Sequence, residues 1–230
     1  MPSVHAIILN YKRRDNIGRI VRACLNATRI DTIHVIDQAE PDQQLQMLPA
    51  SRRLTARRAR NIGAGRRLLF AAGLSCDLVI AIDDDLFLSA SQITELIARS
   101  LKDSVRTHGV WGQQIVDIDG SPRMSFAIKN TNRLVDVLNR AYAFTPGHAR
   151  NALQIADSLG LQRDNLGPVD DILLSFGAPS RPMCHDVGIL TECRTSNQTG
   201  VAVWRQKGFE RTRVDTIAKL RAVGRSWGEI

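Results

Sequence analysis

The chain has 230 residues, of which 43% are apolar and 23% are charged, and its net charge is +8. This composition is typical of a soluble globular protein, and no apolar run is long enough to predict a secretory signal or a transmembrane helix. The four cysteines contain no CxxC pair, which argues against a zinc site and predicts reduced thiols in a cytoplasmic protein. The positive charge favours polyanionic partners, among them nucleotides, anionic glycans, nucleic acid and the inner face of a membrane.

The first 54 residues predict a strand, a helix and a second strand. Residues 4–9 form the first strand, and Asp15 is the predicted cap of the helix. The second strand covers residues 32–36 and ends at Asp37, and residues 39–54 form a loop. The helix is predicted from apolar residues at helical spacing, namely Ile17, Ile20, Val21 and Cys24. Such a βαβ unit is parallel, so both strands end at the same edge of a sheet.

An arginine-rich segment follows, and residues 55–73 are predicted to be largely helical. Arg57, Arg60 and Asn61 are spaced at i, i+3 and i+4, so they would share one face of that helix. The arginines either form a solvated cationic face or, near a helix N-terminus at the sheet edge, bind a diphosphate or uracil carbonyls.

The most informative stretch is an apolar run, residues 78–82, that leads directly into Asp83, Asp84 and Asp85. The run predicts a strand buried on both faces, with the three carboxylates at its carboxyl end, where open α/β sheets bind their ligands. Three adjacent carboxylates repel one another, so we expect a compensating cation, and oxygen ligands suit Mg²⁺ or Mn²⁺. The alternative is a solvated acidic turn.

The second half departs from simple strand–helix alternation. We predict a helix capped by Ser91 to about residue 107, then a strand over 109–117 and a hairpin turn at Asp119-Gly120 into residues 123–128. A β-capable segment over 134–144 and a helix over 145–159 follow. The chain then has a helix that opens with Asp170 and Asp171, a strand over 183–190 and a basic helical tail to about residue 220.

Four motifs, together with the aspartate triplet, occur in an order that resembles the exostosin-like glycosyltransferases (glycosyltransferase family 64), which have the GT-A fold. Asn10-Tyr11-Lys12-Arg13 is similar to that family's nucleotide-contacting loop, and residues 55–61 resemble its T-A-N-R-x-R-N segment. Residues 169–172 (VDDI) resemble its D-D-I motif, and residues 200–220 resemble its C-terminal G-x-x-W…R…K-L stretch. Arg57 stands where the family tends to have asparagine, and Arg205 where a histidine is usual.

The resemblance implies an α/β fold of GT-A type: a Rossmann-like mixed sheet, mostly parallel, flanked by helices, with a small β-hairpin region on the acceptor side. It implies a single catalytic domain over residues 1–230, with a nucleotide-binding half (1–108) and an acceptor-binding half (109–230). The sequence departs from the family in showing no stem or membrane anchor, so we expect a free catalytic domain. The implied activity is metal-dependent transfer of a sugar from a UDP-sugar to a hydroxyl of a glycan or lipid-linked acceptor, with retention of anomeric configuration. The implied cofactor is Mn²⁺ or Mg²⁺, and no nucleic-acid partner is expected.

The resemblance also assigns roles to individual residues. Asp85 would bind the metal, Asp171 and Arg213 would be catalytic, and Asp170 and Trp204 would contact the acceptor. The predicted nucleotide-sugar contacts are Asn10, Tyr11, Arg13, Asp37, Arg57, Arg60, Asn61, Asp83 and Asp84.

Two other functions remain open at this stage. A sugar-nucleotide nucleotidyltransferase would share the sheet and the acidic ligands, but it usually has a glycine-rich loop where residues 10–14 have no glycine. A basic nucleic-acid-binding domain would use the arginines of residues 52–67, but aromatic residues are not interleaved with them. His185 could join the metal, although a structural role is favoured.

Overall fold

A computed structural model describes residues 1–41, 45 and 47–227. The described residues form six α-helices: α1 (Arg14–Asn26), α2 (Arg66–Ala72), α3 (Ala90–Lys102), α4 (Pro146–Ser158), α5 (Asp170–Gly177) and α6 (Phe209–Ala222). None of these helices is both long enough and apolar enough to cross a lipid bilayer.

The same residues form fifteen strands: β1 (Val4–Asn10), β2 (Thr32–Asp37), β3 (Leu54–Arg58), β4 (Leu78–Ile82), β5 (Leu86–Phe87), β6 (Arg106–Gly109), β7 (Trp111–Gln113), β8 (Ile115–Ile118), β9 (Ser121–Met124), β10 (Ile128–Lys129), β11 (Arg133–Leu134), β12 (Val137–Leu138), β13 (Ala141–Phe144), β14 (Ser180–Cys184) and β15 (Thr191–Glu192).

Eight strands form the central sheet in the order β11-β14-β6-β13-β4-β1-β2-β3. The pairings β4–β1, β1–β2, β2–β3 and β6–β14 are parallel, whereas β13 and β11 run antiparallel to their neighbours. Six of the eight strands therefore point in one direction, and their carboxyl ends meet at one edge of the sheet. This arrangement confirms the predicted mixed, mostly parallel α/β sheet.

Both faces of the sheet are covered, as the unbroken apolar run of β4 predicts. All five residues of β4 are buried. On one face, Ala6 and Ile8 pack with the apolar stripes of α1 and α3. On the other face, Ile7 and Val79 pack with α2, α4 and α5. The buried stripe of α1 contains the four apolar residues predicted for it, Ile17, Ile20, Val21 and Cys24.

The second half adds small sheets beside the main one. The hairpin β8–β9 turns at Asp119 and Gly120, both with positive φ, as a two-residue turn of this kind requires. This confirms the predicted hairpin. Strands β10, β7 and β12 form a three-stranded sheet, and β15 pairs with β5 directly after the aspartate triplet. The predicted strands over 109–117 and 134–144 are each broken into three short strands.

The helix predicted over residues 55–73 is wrong in its first half. Residues 54–58 are β3, the edge strand of the sheet, and helix α2 begins only at Arg66. Pairing with β2 satisfies the backbone of β3, and Gly63, with φ of +71°, interrupts any continuous helix. Arg57, Arg60 and Asn61 therefore do not share a helix face.

Three boundary predictions also need correction. Ser89 caps α3, with a reciprocal contact to Gln92, whereas the prediction was Ser91, and the helix ends at Lys102. Asp15 lies inside the first turn of α1 and does not cap it. The strand predicted over residues 183–190 is wrong in position, because β14 ends at Cys184 and β15 begins at Thr191.

Candidate functional site

The carboxyl ends of the parallel strands bring the first predicted side chains together. Asn10 ends β1 and Asp37 ends β2, and these two residues are direct partners in the strand register. The Asn10 Nδ2 donates to Asp37 Oδ1 at 2.8 Å, and the backbone N–H of Ala39 donates to the same oxygen. Both side chains are buried, so this contact joins the carboxyl ends of β1 and β2 beside the strand that carries the aspartate triplet.

The first two carboxylates of the triplet are each paired with an arginine from elsewhere in the chain. Asp83 accepts from Arg67 at 2.6 Å, and Asp84 accepts from Arg13 at 2.6 Å. Burial raises the pKa of Asp84, and the nearby Arg13 opposes that effect. Arginine therefore supplies the compensating positive charge that the sequence predicted, and charge balance does not by itself require a metal ion.

Asp85 differs from its two neighbours. Its Oδ1 is buried and makes no hydrogen bond, and its nearest cations are Arg13, 3.7 Å from Oδ2, and Arg140, 3.8 Å from Oδ1. Burial, and next the Asp83 carboxylate, raise the pKa of Asp85 to about 6. Asp85 is therefore the carboxylate of the triplet that has a buried oxygen without a hydrogen-bond partner.

Arg67 connects the triplet to helix α5. The Arg67 side chain is 7% exposed and contacts Asp83 at one end and Asp170, at 2.9 Å, at the other. Its guanidinium lies over the ring of Tyr142, 5.4 Å from the centroid. Burial raises the pKa of Asp170 to about 7, although Arg67 acts in the opposite direction. One buried cation thus holds two acidic elements of the site together.

The two predicted catalytic residues contact each other. Arg213, from α6, donates to both carboxylate oxygens of Asp171 at 2.8 and 3.0 Å, and it also donates to the carbonyl of Pro168. The Asp171 carboxylate also accepts from the backbone N–H of Ile172. This bidentate ion pair fixes the orientation of the Asp171 carboxylate at the start of α5.

The loop after β1 is tied to the C-terminal segment. Arg13 donates to the hydroxyl and the carbonyl of Thr195, and Lys12 donates to the carbonyl of Gly200. The Trp204 indole donates to Ser196 in the same segment and remains 49% exposed. Tyr11, which is half-buried, lies beside Lys12, whose ammonium is 5.0 Å from the ring centroid.

Two of the remaining predicted contacts, Arg60 and Asn61, line a separate cleft after β2. This cleft has a volume of about 460 Å³ and is lined by Gln38, Glu40, Arg58, Arg60 and Asn61, among others. Arg60 forms an exposed ion pair with Asp164, and Asn61 accepts from the backbone N–H of Gly63. Arg57 is exposed on β3, over the ring of Phe70.

Sequence reasoning missed three residues of the site: Arg67, Arg140 and Glu192. Arg67 was noticed only as part of an arginine cluster, and its burial beside Asp83 could have been suspected from the apolar residues that follow it. Arg140 has a φ of +65°, in a tight turn before β13 that no glycine or asparagine at that position signals. Glu192 reaches the site because β15 pairs with β5, a long-range contact without a local pattern.

The site fits a divalent ion only in one arrangement. Within the described ranges of the chain, no three histidine, cysteine, aspartate or glutamate side chains converge to hold a metal. A closed protein cage is therefore not formed, but Mg²⁺ and Mn²⁺ are commonly held by one or two carboxylates together with substrate phosphates. The Oδ1 of Asp85, which is buried and has no hydrogen-bond partner, fits that arrangement as the protein's ligand.

His185 does not offer a ring nitrogen to this site. Its Nε2 contacts His108 Nδ1 at 2.8 Å, and its Nδ1 accepts from Arg99 at 3.2 Å. The two imidazole rings are parallel within 3° and meet edge to edge through this contact, and both are buried. His185, which directly follows β14, therefore connects that strand to β6 through His108 and to α3 through Arg99.

Comparison with solved structures places the fold in a known group. The chain resembles S. aureus TarS 1–349, with a TM-score of 0.54 and 11% identity, over 82% of this chain and 59% of that chain. It also resembles GalNAc-T7 with UDP, GalNAc and Mn²⁺, with a TM-score of 0.60 and 11% identity, over 95% of this chain and 48% of that chain. The chain has the GT-A glycosyltransferase fold.

The chain thus spans about half the length of each of these two proteins. No protein-family model matches it, and neither does any curated protein. The narrower resemblance to the exostosin-like family remains a prediction.

Proposed function

We propose that this protein is a glycosyltransferase that uses a UDP-sugar as donor and a divalent metal ion as cofactor. The observation that carries the proposal is the aspartate triplet at the carboxyl end of the central strand β4, joined through Arg67 to the Asp170 carboxylate at the start of α5. The GT-A fold and a structural neighbour crystallised with UDP, GalNAc and Mn²⁺ support it.

In this proposal each aspartate of the triplet has a different role in binding the donor. Asp85 would hold Mn²⁺ or Mg²⁺, which when bound neutralises the charge of the leaving diphosphate. Asp83 would face the hydroxyls of the ribose or the sugar, since its side chain is the most exposed of the triplet. Asp84, almost fully buried against Arg13, would position the loop after β1.

Asp171 and Arg213 would act on the other side of the sugar. Arg213 has a planar fork of N–H donors that suits phosphate oxygens, but in this structure the fork is bonded to Asp171, so Arg213 would have to exchange that partner to bind the leaving diphosphate. Asp171 would stabilise an oxocarbenium-like state or accept the proton of the acceptor hydroxyl. Retention of anomeric configuration, as the exostosin-like resemblance implies, is part of the proposal.

The acceptor would approach from the second half of the chain. We place Trp204 on that side, with a glycan or a lipid-linked acceptor as the substrate class. Asp170 would act on the acceptor only indirectly, because its carboxylate is buried against Arg67. The half-exposed Trp204 offers an indole face with Arg205 stacked on it at 4.8 Å. Peripheral contact with an anionic membrane through the basic surface would follow from a lipid-linked acceptor.

The test is hydrolysis or transfer from a panel of UDP- and GDP-sugars with Mn²⁺, with and without EDTA. We expect turnover of at least one UDP-sugar and its loss in EDTA. Binding of DNA or RNA that weakens with salt, without any binding of UDP, would instead favour the nucleic-acid-binding alternative. Formation of a UDP-sugar from UTP and a sugar phosphate would favour the nucleotidyltransferase.

A further inference from the structure

Two backbone hydrogen bonds fix two side chains of opposite charge beside Asp85. The N–H of Asp83 donates to the carbonyl of Arg140 at 2.7 Å, and the N–H of Cys193 donates to the carbonyl of Asp85 at 2.9 Å. The second bond, together with the pairing of Glu192 with Leu86, carries Glu192 to the triplet. The positions of Arg140 and Glu192 are therefore set by the main chain around the triplet itself.

The Arg140 guanidinium lies between two carboxylates and is bonded to only one of them. Its Nη1 is 2.8 Å from Glu192 Oε2 but 3.8 Å from Asp85 Oδ1. The guanidinium also stacks over Trp111, with its carbon 4.1 Å from the ring centroid. Lys129 lies over the same ring and is 3.5 Å from Glu192.

The Asp85 Oδ1 thus faces a cation that is held just beyond hydrogen-bond distance, and it has no hydrogen bond of its own. On its other side, Arg13 is 3.7 Å from Oδ2 and is already bonded to Asp84 and Thr195. Both arginines therefore have other hydrogen-bond partners, and Oδ1 of Asp85 has none although Asp85 lies between two positive charges.

We propose that Arg140 competes with the metal ion for Asp85, and that the ion pair between Arg140 and Glu192 keeps Arg140 away from Asp85 so that the metal can bind. This inference rests on the proposed function in one respect, namely that Asp85 is the ligand of the divalent ion. If Glu192 loses its charge, Arg140 is free to close onto Asp85 and occupy the oxygen that the metal needs. If Arg140 loses its charge, Asp85 loses a competing cation.

The test is titration of Mn²⁺ into the protein at a fixed concentration of UDP, with UDP without protein as the blank, followed by the electron paramagnetic resonance signal of free Mn²⁺. UDP is included because the site supplies one carboxylate and the phosphates supply further ligands. We expect Arg140→Gln to tighten Mn²⁺ binding and Glu192→Gln to weaken it, each by roughly fivefold to tenfold for a screened charge about 4 Å away. The double variant Arg140→Gln/Glu192→Gln should bind like Arg140→Gln, because without the arginine there is nothing for Glu192 to hold back.

A matched control is the exposed pair Arg123–Glu210, in which the same two charge types lie 3.2 Å apart on the surface. Arg123→Gln and Glu210→Gln should leave Mn²⁺ binding unchanged. Arg140→Lys serves if Arg140→Gln does not fold, and the shorter ammonium side chain should give an intermediate affinity. Equal affinities in all variants, no Mn²⁺ binding in any of them, or tighter binding in Glu192→Gln would each overturn the inference.

The readout separates this inference from the proposed function. An order of affinities as expected, with no turnover of any UDP-sugar, would support the competition and contradict the enzyme proposal. Normal turnover with unchanged Mn²⁺ affinities would support the enzyme proposal and contradict the competition.

Discussion

At the scale of single residues, the account depends on arginines that neutralise buried carboxylates. Asp171 and Arg213 are both buried and bonded through two oxygens. Removing one partner of a buried pair leaves an uncompensated charge, so we expect Asp171→Asn and Arg213→Gln each to lower the free energy of unfolding by about 3–5 kcal/mol. The double variant should lose less than the sum of the two. Urea unfolding measures all three.

The exposed pair Asp157–Arg163 is the control for this prediction. Asp157→Asn should cost less than about 1 kcal/mol, as is usual for surface ion pairs. A loss in Asp171→Asn no larger than that of the control would contradict the structural role. Turnover and UDP binding of Asp171→Asn are then interpreted only at temperatures where the variant is folded.

Sequence reasoning at this scale found the acidic residues more readily than their partners. Three adjacent aspartates after an apolar run are visible in any reading of the sequence. The arginines near them come from residues 13, 67 and 140, which meet only after the sheet has formed. Their charge compensates the triplet, where sequence reasoning expected a divalent cation.

At the scale of elements, the start of helix α3 distinguishes two neighbouring serines. The Ser89 hydroxyl accepts from the backbone N–H of Gln92, and the Gln92 side chain accepts from the N–H of Ser89. We expect Ser89→Ala to lower the free energy of unfolding by about 0.5–2 kcal/mol, because the cap is lost. Ser91→Ala, inside the first turn, should change it less, and an equal or larger loss there would contradict the assignment of the cap.

The elements that were predicted correctly have a local signal, and those that were missed depend on partners far along the chain. The hairpin at Asp119-Gly120 and the helix that begins after Thr145 follow from turn and cap residues. Strand β3 has the composition of a helix, with arginines and alanine, and becomes a strand because the free edge of β2 pairs with its backbone. Tertiary pairing overrides local propensity there.

At the scale of the whole molecule, all five histidines have a pKa below the usual value, mainly because of burial. The pKa is lowered to about 4 for His34, His148 and His185. In the unfolded chain these rings take up a proton near pH 6.5, so each histidine destabilises the fold as the pH falls from about 6.5 to about 4. Asp85 and Asp170, with raised pKa values, act in the opposite direction over part of this range.

The contribution of one histidine is therefore isolated by a difference between two proteins. Relative to wild type, His185→Gln should become more stable as the pH falls from 6.5 to 4, by up to about 1.4 kcal/mol per pH unit. The lost contacts to His108 and Arg99 add a constant offset at all pH values. Denaturant unfolding at several pH values measures this difference, and a difference that does not depend on pH would contradict a neutral buried ring.

The sequence was sufficient to predict the fold at this scale. The apolar strands and the acidic end of β4 predicted a parallel α/β sheet, and the motif resemblance implied a mixed sheet of GT-A type. The comparisons confirm the GT-A fold. The motifs alone could not establish a narrower family. The division into a nucleotide-binding half and an acceptor-binding half remains a prediction, as do the roles of the individual site residues.

The central claim is that Asp85 holds a divalent ion that in turn holds the diphosphate of a sugar nucleotide. Isothermal titration of UDP, with Mn²⁺ and with EDTA, tests it most directly. We expect binding in Mn²⁺ that is lost in EDTA and in Asp85→Asn, while Asp119→Asn, at the exposed hairpin turn, binds as wild type does. Binding of UDP that is equally strong with EDTA, or unchanged in Asp85→Asn, would contradict the account.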